Sequence, residues 1–323
     1  MNQPKTLRAF VALLAALACA QASADDFYVY FLAGQSNMVG FGTSTDLPGE
    51  LAEPMPGVYI FAPAQADDGA APPSATWQPL QPGFGDGYTT DPAGQPMLGT
   101  RFGPAITFAA RLRDLRPGEN IAIIKYAKNG SGLDVRSNQF GTWDPNDTRA
   151  NVGGINQYDH ALAAIASAFA DGDINDDGTP DRLIPAGIVW MQGESDATLS
   201  VAAEDYAENL AEILGLFRGV FGVEDLPAVI GRISDSGVRN GTDPVWPHGD
   251  TVRAAQHAVA KADPRTAIVT STDSYDYSDR FHYDSAGYID LGQRFAEAIN
   301  TLAGRPRALV RSPAGGTERA RTR

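Results

Sequence analysis

Apolar runs alternate with amphipathic stretches along most of the chain, and this alternation predicts alternating strands and helices. Continuous apolar runs, typical of strands buried on both faces of a parallel sheet, occupy residues 27–33, 121–127, 186–191, 228–233 and 267–270. Apolar residues at helical spacing predict helices over residues 103–115, 155–170, 201–220, 250–262 and 285–302. We therefore expect a parallel α/β sheet covered on both faces, with sites at the carboxyl ends of its strands.

Residues 43–100 depart from this alternation. They contain ten prolines and eight glycines in 58 residues and offer only short strands, such as 58–61. A structureless loop of this length is uncommon in a compact domain, so we expect a folded excursion beside the active face. The alternative is a plain surface elaboration.

The two ends differ from the body of the chain. A basic start, an apolar run over 9–20 and Ala-Ser-Ala at 22–24 are typical of a secretory signal peptide cleaved after Ala24. The alternatives are a buried N-terminal helix and lipidation at Cys19, although Ala16 stands where lipoprotein sites usually have leucine. Residues 304–323 contain six arginines and one glutamate and predict a disordered basic tail. We expect one domain over 25–303, in a protein exported to the periplasm or secreted.

The charge limits the partners. The chain has 39 acidic and 25 basic residues, which gives a net charge of −14. Without the leader and the tail, 17 basic and 38 acidic residues remain, so the body is near −21. Nucleic acids and anionic membranes attract clustered basic residues, so we expect no nucleic acid as a partner. We also expect no membrane, unless Cys19 is lipidated. A single cysteine can form neither an internal disulfide nor a Cys-based zinc site.

Two polar segments that follow predicted strands carry candidate chemistry. Gly-Gln-Ser-Asn-Met at 34–38 follows the first strand, where Ser36 can meet backbone donors or the positive end of a helix. It is not an α/β-hydrolase nucleophile elbow, because the second glycine of that motif is missing. Gln-Gly-Glu-Ser-Asp at 192–196 follows the third strand and offers an amide that can donate to an oxyanion. The plainer alternatives are a loop serine and helix capping by Ser195 or Asp196.

A third segment, after the fifth strand, combines a carboxylate with a histidine. Asp279 precedes His282 by three residues, so the carboxylate can hold one ring nitrogen while the other accepts a proton from a hydroxyl. A surface histidine is the alternative. The other histidines lie on or beside predicted helices or in a Pro/Gly-rich loop: His160, His248 and His257.

Together, Gly-Gln-Ser-Asn-Met, Trp-Met-Gln-Gly-Glu-Ser-Asp and Asp-x-x-His resemble the SGNH hydrolase superfamily. More narrowly, they resemble its sialate O-acetylesterase-like domain, which is also associated with acetylxylan esterases of carbohydrate esterase family six. The resemblance covers roughly residues 26–303. It implies a three-layer α/β/α fold with a five-stranded parallel flavodoxin-like sheet. It also implies a serine esterase that removes O-acetyl groups from a carbohydrate of the acetylxylan or sialate type, with no cofactor required for catalysis.

The resemblance assigns the reacting groups. It implies that Ser36 is the nucleophile, that His282 is its general base and that Asp279 orients the imidazole. Glu194 and Gln35 also match family positions, and we expect only supporting hydrogen bonds from them.

The resemblance also implies an oxyanion hole. Its donors would be the backbone N–H groups of Ser36 and Gly130 and the side-chain amide of Gln192. The family usually has two adjacent glycines where this chain has Asn129 and Gly130, so a neighbour of Gly130 is an alternative donor.

An acidic turn at 171–181 matches part of a calcium loop. Oxygen-bearing side chains occupy positions one, three, five and nine, with glycine at position six: Asp173, Asn175, Asp177, Asp181 and Gly178. Position twelve is Ile184 instead of glutamate, so any ion needs a further ligand. A structural calcium is one interpretation, and an acidic surface turn is the other.

Two other functions remain open at this point. One is a lipid or aryl esterase of the same superfamily. The other is a non-catalytic glycan-binding module, which would lack a nucleophile or a base. Trp77, Trp143 and Trp246 lie in predicted loops, where they either stack on pyranose rings or pack the loops.

Overall fold

The computed structural model describes residues 24–137, 139–147 and 154–304. The predicted signal peptide up to residue 23, with Cys19, and the predicted tail from residue 305 lie outside the described residues. Within the described ranges, no helix is both long enough and apolar enough to cross a membrane.

A seven-stranded sheet lies at the centre of the fold, in the order β11-β10-β9-β1-β8-β3-β4. Its strands are β1 (Asp26–Gly34), β3 (Val58–Phe61), β4 (Trp77–Pro79), β8 (Asn120–Ala127), β9 (Arg182–Met191), β10 (Ala228–Gly231) and β11 (Thr266–Val269). All neighbouring strands are parallel except β3 and β4. Two short antiparallel ladders lie apart from this sheet: β2 (Gly42–Thr43) with β7 (Arg101–Phe102), and β5 (Thr89–Thr90) with β6 (Pro96–Met97).

Helices cover both faces of the sheet. They are α1 (Ser36–Val39), α2 (Ala105–Leu115), α3 (Gln157–Ala170), α4 (Ser200–Val220), α5 (Ser236–Arg239), α6 (Gly249–Ala262) and α7 (Ser285–Ala303). Tyr30 and Phe31 are consecutive on β1 and therefore point to opposite faces. The Tyr30 ring packs 5.3 Å from Phe108 of α2, and the Phe31 ring packs 4.8 Å from Phe217 of α4. The predicted α/β/α layering is confirmed.

The predicted strand count was too low. The five expected strands form β8-β1-β9-β10-β11, which is the flavodoxin-like order, but β3 and β4 extend the sheet beyond β8. Both come from the Pro- and Gly-rich segment. The short strand predicted at 58–61 is confirmed as β3, whereas β4 has only three residues, too few to show a strand pattern. From the same segment, Gln65 accepts a hydrogen bond from the Asn129 N–H (2.8 Å), and Asp86 accepts one from the Asn129 amide (2.9 Å). The excursion is folded and lies against the turn after β8.

Two of the three tryptophans proposed to stack on sugars are buried. Trp77 is 7% exposed and donates its indole N–H to carbonyl oxygens at the end of α3. Trp143 is fully buried, with its ring 5.1 Å from that of Trp190. The sugar-stacking interpretation is therefore wrong for Trp77 and Trp143, which pack into the core.

At its carboxyl end, β1 makes a very close backbone approach to β9. Gly34 has a φ of +141°, and a Cβ atom there would lie 2.0 Å from the Met191 carbonyl oxygen. The Gln35 N–H donates to that same carbonyl at 2.8 Å. Only glycine fits this position, and the turn it allows places Ser36 at the carboxyl edge of the sheet.

We predict that Gly34→Ala destabilises the protein by about 3 kcal/mol or more, because the new methyl group collides with backbone and the φ is strained. The matched control is Gly172→Ala, where a Cβ would meet no atom within 4 Å and φ is not in the left-handed region. Urea unfolding followed by circular dichroism measures both. Equal midpoints for the two variants would contradict the close approach.

Candidate active site

Ser36 begins α1 directly after β1. It is 7% exposed, and it follows Gln35, which has an extended backbone (φ −116°). Among the described residues, the Ser36 backbone N–H has no hydrogen-bonded acceptor, as expected in the first turn of a helix. Ser36 therefore offers both a hydroxyl group and a backbone N–H that forms no hydrogen bond among the described residues.

The side chain of Asn37 joins three distant parts of the chain. Its amide nitrogen donates to Glu194 Oε1 at 2.7 Å and to the Phe281 carbonyl at 3.4 Å. Its amide oxygen accepts from the Tyr288 hydroxyl at 2.7 Å. The turn after β1 is thereby tied to the segment after β9, to the loop that carries His282 and to α7. Asn37 was not singled out from the sequence, although it lies inside the first motif.

Gln35 provides a second link to the segment after β9. Its side-chain oxygen accepts from the N–H groups of Gly193 and Ser195, both at 3.3 Å. Adjacent side chains of the first motif thus contact the segment that contains Glu194.

His282 and Asp279 form a tightly bonded pair. The imidazole Nδ1 lies 2.7 Å from Asp279 Oδ2, and Asp279 Oδ1 accepts from the N–H groups of Phe281 (2.7 Å) and His282 (2.8 Å). Partial burial raises the Asp279 pKa, but these hydrogen bonds outweigh burial, and the pKa lies below its ordinary value. Because an ionised Asp279 accepts from Nδ1–H, the Nε2 atom is left as the proton acceptor.

The Phe41 ring stacks on the His282 imidazole, with centroids 3.6 Å apart and planes 5° apart. The imidazole is therefore held by a carboxylate at Nδ1 and by an aromatic ring on its face. Among the described residues, no hydrogen bond joins the Ser36 hydroxyl to His282. The two segments meet through Asn37 and the Phe281 carbonyl, and hydrogen bonds between catalytic groups are often long before substrate binds.

Gly130, in the turn after β8, adopts a φ of +60°. The Asn129 N–H is engaged with the Gln65 side chain, whereas the Gly130 N–H has no acceptor among the described residues. Of the two neighbours, Gly130 is thus the one whose backbone donor is not used within the protein.

Gln192 is fully buried and does not present an unused amide donor. Its nitrogen donates to the Ser131 carbonyl at 3.1 Å and to Asp196 Oδ2 at 2.6 Å. These bonds place the amide against the turn that contains Gly130. An oxyanion could receive a hydrogen bond from Gln192 only in exchange for the longer bond to Ser131.

Asp196, expected only as a helix cap, has a larger structural role. Its buried carboxylate accepts from the N–H groups of Leu133 and Asp134, from the Ser137 hydroxyl and from Gln192. Burial raises its pKa to about 6, against these hydrogen bonds. The carboxylate therefore ties the loop after β8 to the segment after β9, a contact that the sequence spacing does not indicate.

Backbone N–H groups satisfy two carboxylates of the acidic turn. Asp173 accepts from the N–H groups of Asp177 and Gly178, and Asp181 accepts from those of Asp25 and Ile174. Within the described ranges, no group of three or more His, Cys, Asp or Glu side chains is placed to hold a metal ion.

Calcium binding at Asp173, Asn175, Asp177 and Asp181 stays a prediction without support from this geometry. Calorimetric titration with Ca²⁺ tests it, with a chelated sample as the control. If the turn binds calcium, Asp173→Asn abolishes the heat of binding, and a wild-type chain that gives no heat would dispose of the hypothesis.

A parallel α/β sheet with a serine after β1 and a His–Asp pair after β11 is the framework of an esterase of the SGNH type. The family model described as "Carbohydrate esterase, sialic acid-specific acetylesterase" matches residues 26–301, and the chain belongs to this family. It is therefore a carboxylic ester hydrolase of a carbohydrate acetylesterase family, which implies an acetylated carbohydrate as substrate. The comparison with curated proteins returned no match.

Solved structures share the fold at low identity. A protein from Arabidopsis thaliana has 17% identity and a TM-score of 0.58, over 86% of this chain and 99% of its own. The carbohydrate acetylesterase XAC1771 from Xanthomonas citri has 20% identity and a TM-score of 0.58, over 85% of this chain and 56% of its own. NanS has 19% identity and a TM-score of 0.56, over 86% of this chain and 98% of its own. These likenesses show the fold alone.

The buried Glu194 carboxyl makes stability depend on pH. Burial raises its pKa to about 7, against the hydrogen bond from Asn37, and Oε2 has no partner among the described residues. The unfolded chain has the ordinary value of 4.5, so the folded protein binds the proton more tightly. The stability contributed by this group is fully present below pH 4.5 and is lost as pH rises through about 7.

We predict that the wild type loses up to about 3 kcal/mol relative to Glu194→Gln between pH 4.5 and pH 8. The glutamine retains the acceptor for Asn37 but does not titrate. Urea unfolding at several pH values measures the free energy of unfolding of both proteins. The contributions of the other titrating groups are common to both and cancel in the difference. A difference that stays constant over this range would contradict the raised pKa.

Proposed function

We propose that this chain is an exported serine esterase that removes O-acetyl groups from a carbohydrate of the acetylxylan or sialate type. The observation that carries the proposal is the His282–Asp279 pair, fixed in the loop that Asn37 ties to the Ser36 turn. Membership of the acetylesterase family supplies the acetyl ester as the reacting group. The proposal of export rests on the signal peptide pattern over residues 1–24.

In the proposed first step, Ser36 Oγ attacks the acetyl carbonyl carbon and His282 Nε2 accepts the hydroxyl proton. Asp279 holds the imidazole by Nδ1 and stabilises the imidazolium that forms. The N–H groups of Ser36 and Gly130 donate to the developing oxyanion, and Gln192 adds a third donor if it releases Ser131. The imidazolium then returns the proton to the sugar oxygen, which leaves as an alcohol.

In the second step, water replaces the sugar. His282 takes a proton from the water while the water oxygen attacks the acetyl group on Ser36. As the tetrahedral intermediate collapses, the imidazolium returns this proton to Ser36 Oγ, and acetic acid leaves and ionises to acetate in solvent. Each transferred proton passes through His282 Nε2, so every step draws on groups of this chain.

The surroundings of the pair favour a sugar over the alternative of a lipid or aryl ester. The cleft that borders Asp279 is lined mainly by hydroxyl, amide, carboxylate and guanidinium groups, including Asn240, Thr242 and Arg280. A long acyl chain needs an apolar pocket, whereas sugar hydroxyls need hydrogen-bonding partners. The presence of both Ser36 and His282 argues against a non-catalytic glycan-binding module.

We predict that Ser36→Ala lowers kcat for p-nitrophenyl acetate by at least about 10³-fold and that Asp279→Asn lowers it by about 10²- to 10⁴-fold. Alanine removes the nucleophile, and asparagine no longer stabilises the imidazolium. The matched control is Ser200→Ala, an exposed serine at the start of α4. Initial rates and thermal unfolding are measured on all four proteins, and full turnover by a folded Ser36→Ala protein would refute the mechanism.

A further inference from the structure

An exposed aromatic ring stands beside the proposed general base. Phe281 is 42% exposed, although it adjoins His282, and its ring packs 5.6 Å from Trp246 at an interplanar angle of 37°. The Arg280 guanidinium lies 5.7 Å from the centroid of the same ring. Single exposed apolar side chains are common, but this ring is held in place by Trp246 and adjoins the proposed base, where a substrate would have to lie.

A second exposed ring borders the proposed oxyanion donor. Phe140 is 61% exposed, and a Cβ atom on Gly130 would lie 2.5 Å from its ring. The ring therefore lies directly against the Gly130 backbone. Exposed aromatic rings thus border two separate groups of the proposed site, the base and the oxyanion donor.

A polar cleft of about 750 Å³ begins at Asp279 and Arg280, next to Phe281. This volume falls within the range of about 300–1,000 Å³ that is usual for small-molecule sites. The loop after α5 adds Asn240, Thr242 and Asp243 to the lining of this cleft. Amide, hydroxyl and carboxylate groups are the natural partners of sugar hydroxyls.

The charges in the cleft do not favour an anionic sugar. Three aspartates line it against two arginines, and after Arg239 pairs with Asp276 at 3.1 Å the lining still carries one net negative charge. The acidic body of the chain, near −21, adds long-range repulsion of anions. A neutral glycan therefore fits the cleft better than a carboxylate-bearing one.

We propose that Phe281 is the floor of a sugar-binding subsite, on which the pyranose ring of a neutral O-acetylated glycan stacks while its hydroxyls reach Arg280 and the cleft. The proposal rests on the proposed function and adds to it the place and the chemical class of the sugar. Trp246 is the third of the tryptophans named from the sequence. In this proposal it packs against the Phe281 ring and supports it, and the sugar stacks on Phe281.

The test compares kcat/KM for peracetylated methyl xylopyranoside with kcat/KM for p-nitrophenyl acetate, which carries no sugar. We expect Phe281→Ala to lower the ratio of the two about ten-fold or more, mainly through KM for the pyranoside. Phe281→Tyr retains the ring and is expected to keep the ratio within about two-fold of the wild type. Phe169→Ala is the matched control. Phe169 lies on α3, is 37% exposed and also packs against another aromatic ring, that of Phe221.

The other outcomes overturn either the subsite alone or the proposed function together with it. If Phe281→Ala lowers both rates equally, Phe281 only supports the loop and the subsite is refuted. The subsite is also refuted if the wild type cleaves p-nitrophenyl acetate but not the pyranoside, or prefers O-acetyl sialic acid over it. A wild type that cleaves none of these esters overturns the proposed function, and the subsite with it.

Discussion

The hydrogen bonds of one buried amide determine how the candidate site is assembled. Asn37 is 1% exposed, and its donors and acceptor reach Glu194, the Phe281 carbonyl and the Tyr288 hydroxyl. A buried amide without partners is costly, so each of these three elements is required to lie where it does. The position of the His282 loop relative to Ser36 follows from this requirement.

The topology makes such a junction possible. β1 lies between β8 and β9, at the point where the chain order of the sheet reverses, and the segments after these three strands meet at one edge. Gly34 lets β1 end against the Met191 carbonyl, and Asp196 ties the loop after β8 to the segment after β9. The proposed nucleophile and oxyanion donors come from these three segments, and the proposed base comes from a fourth, the loop after β11.

The same edge concentrates buried ionisable groups whose pKa values are perturbed by desolvation. Besides Glu194 and Asp196, Lys125 of β8 donates to the carbonyl oxygens of Val39 and Phe84, and burial lowers its pKa to about 7. Burying such groups reduces the stability of a fold, and two of them, Glu194 and Lys125, hydrogen-bond to residues of α1, which begins at Ser36. A rigid, desolvated setting of this kind is what preorganised donors require.

Sequence alone determined the periodic elements and the local pair. Apolar runs and helical spacing identified the five main strands and the long helices, since burial on a sheet or a helix face imposes a regular period. Asp279 and His282 are three residues apart, so their contact depends on one short loop and was predictable. Tertiary structure alone decided the contact of Asn37 with Glu194 across 157 positions, the role of Asp196, the pairing of β3 and β4 beyond β8 and the burial of Trp77 and Trp143. These depend on which strands become neighbours and which surfaces are covered, and no local pattern of polar and apolar residues encodes either.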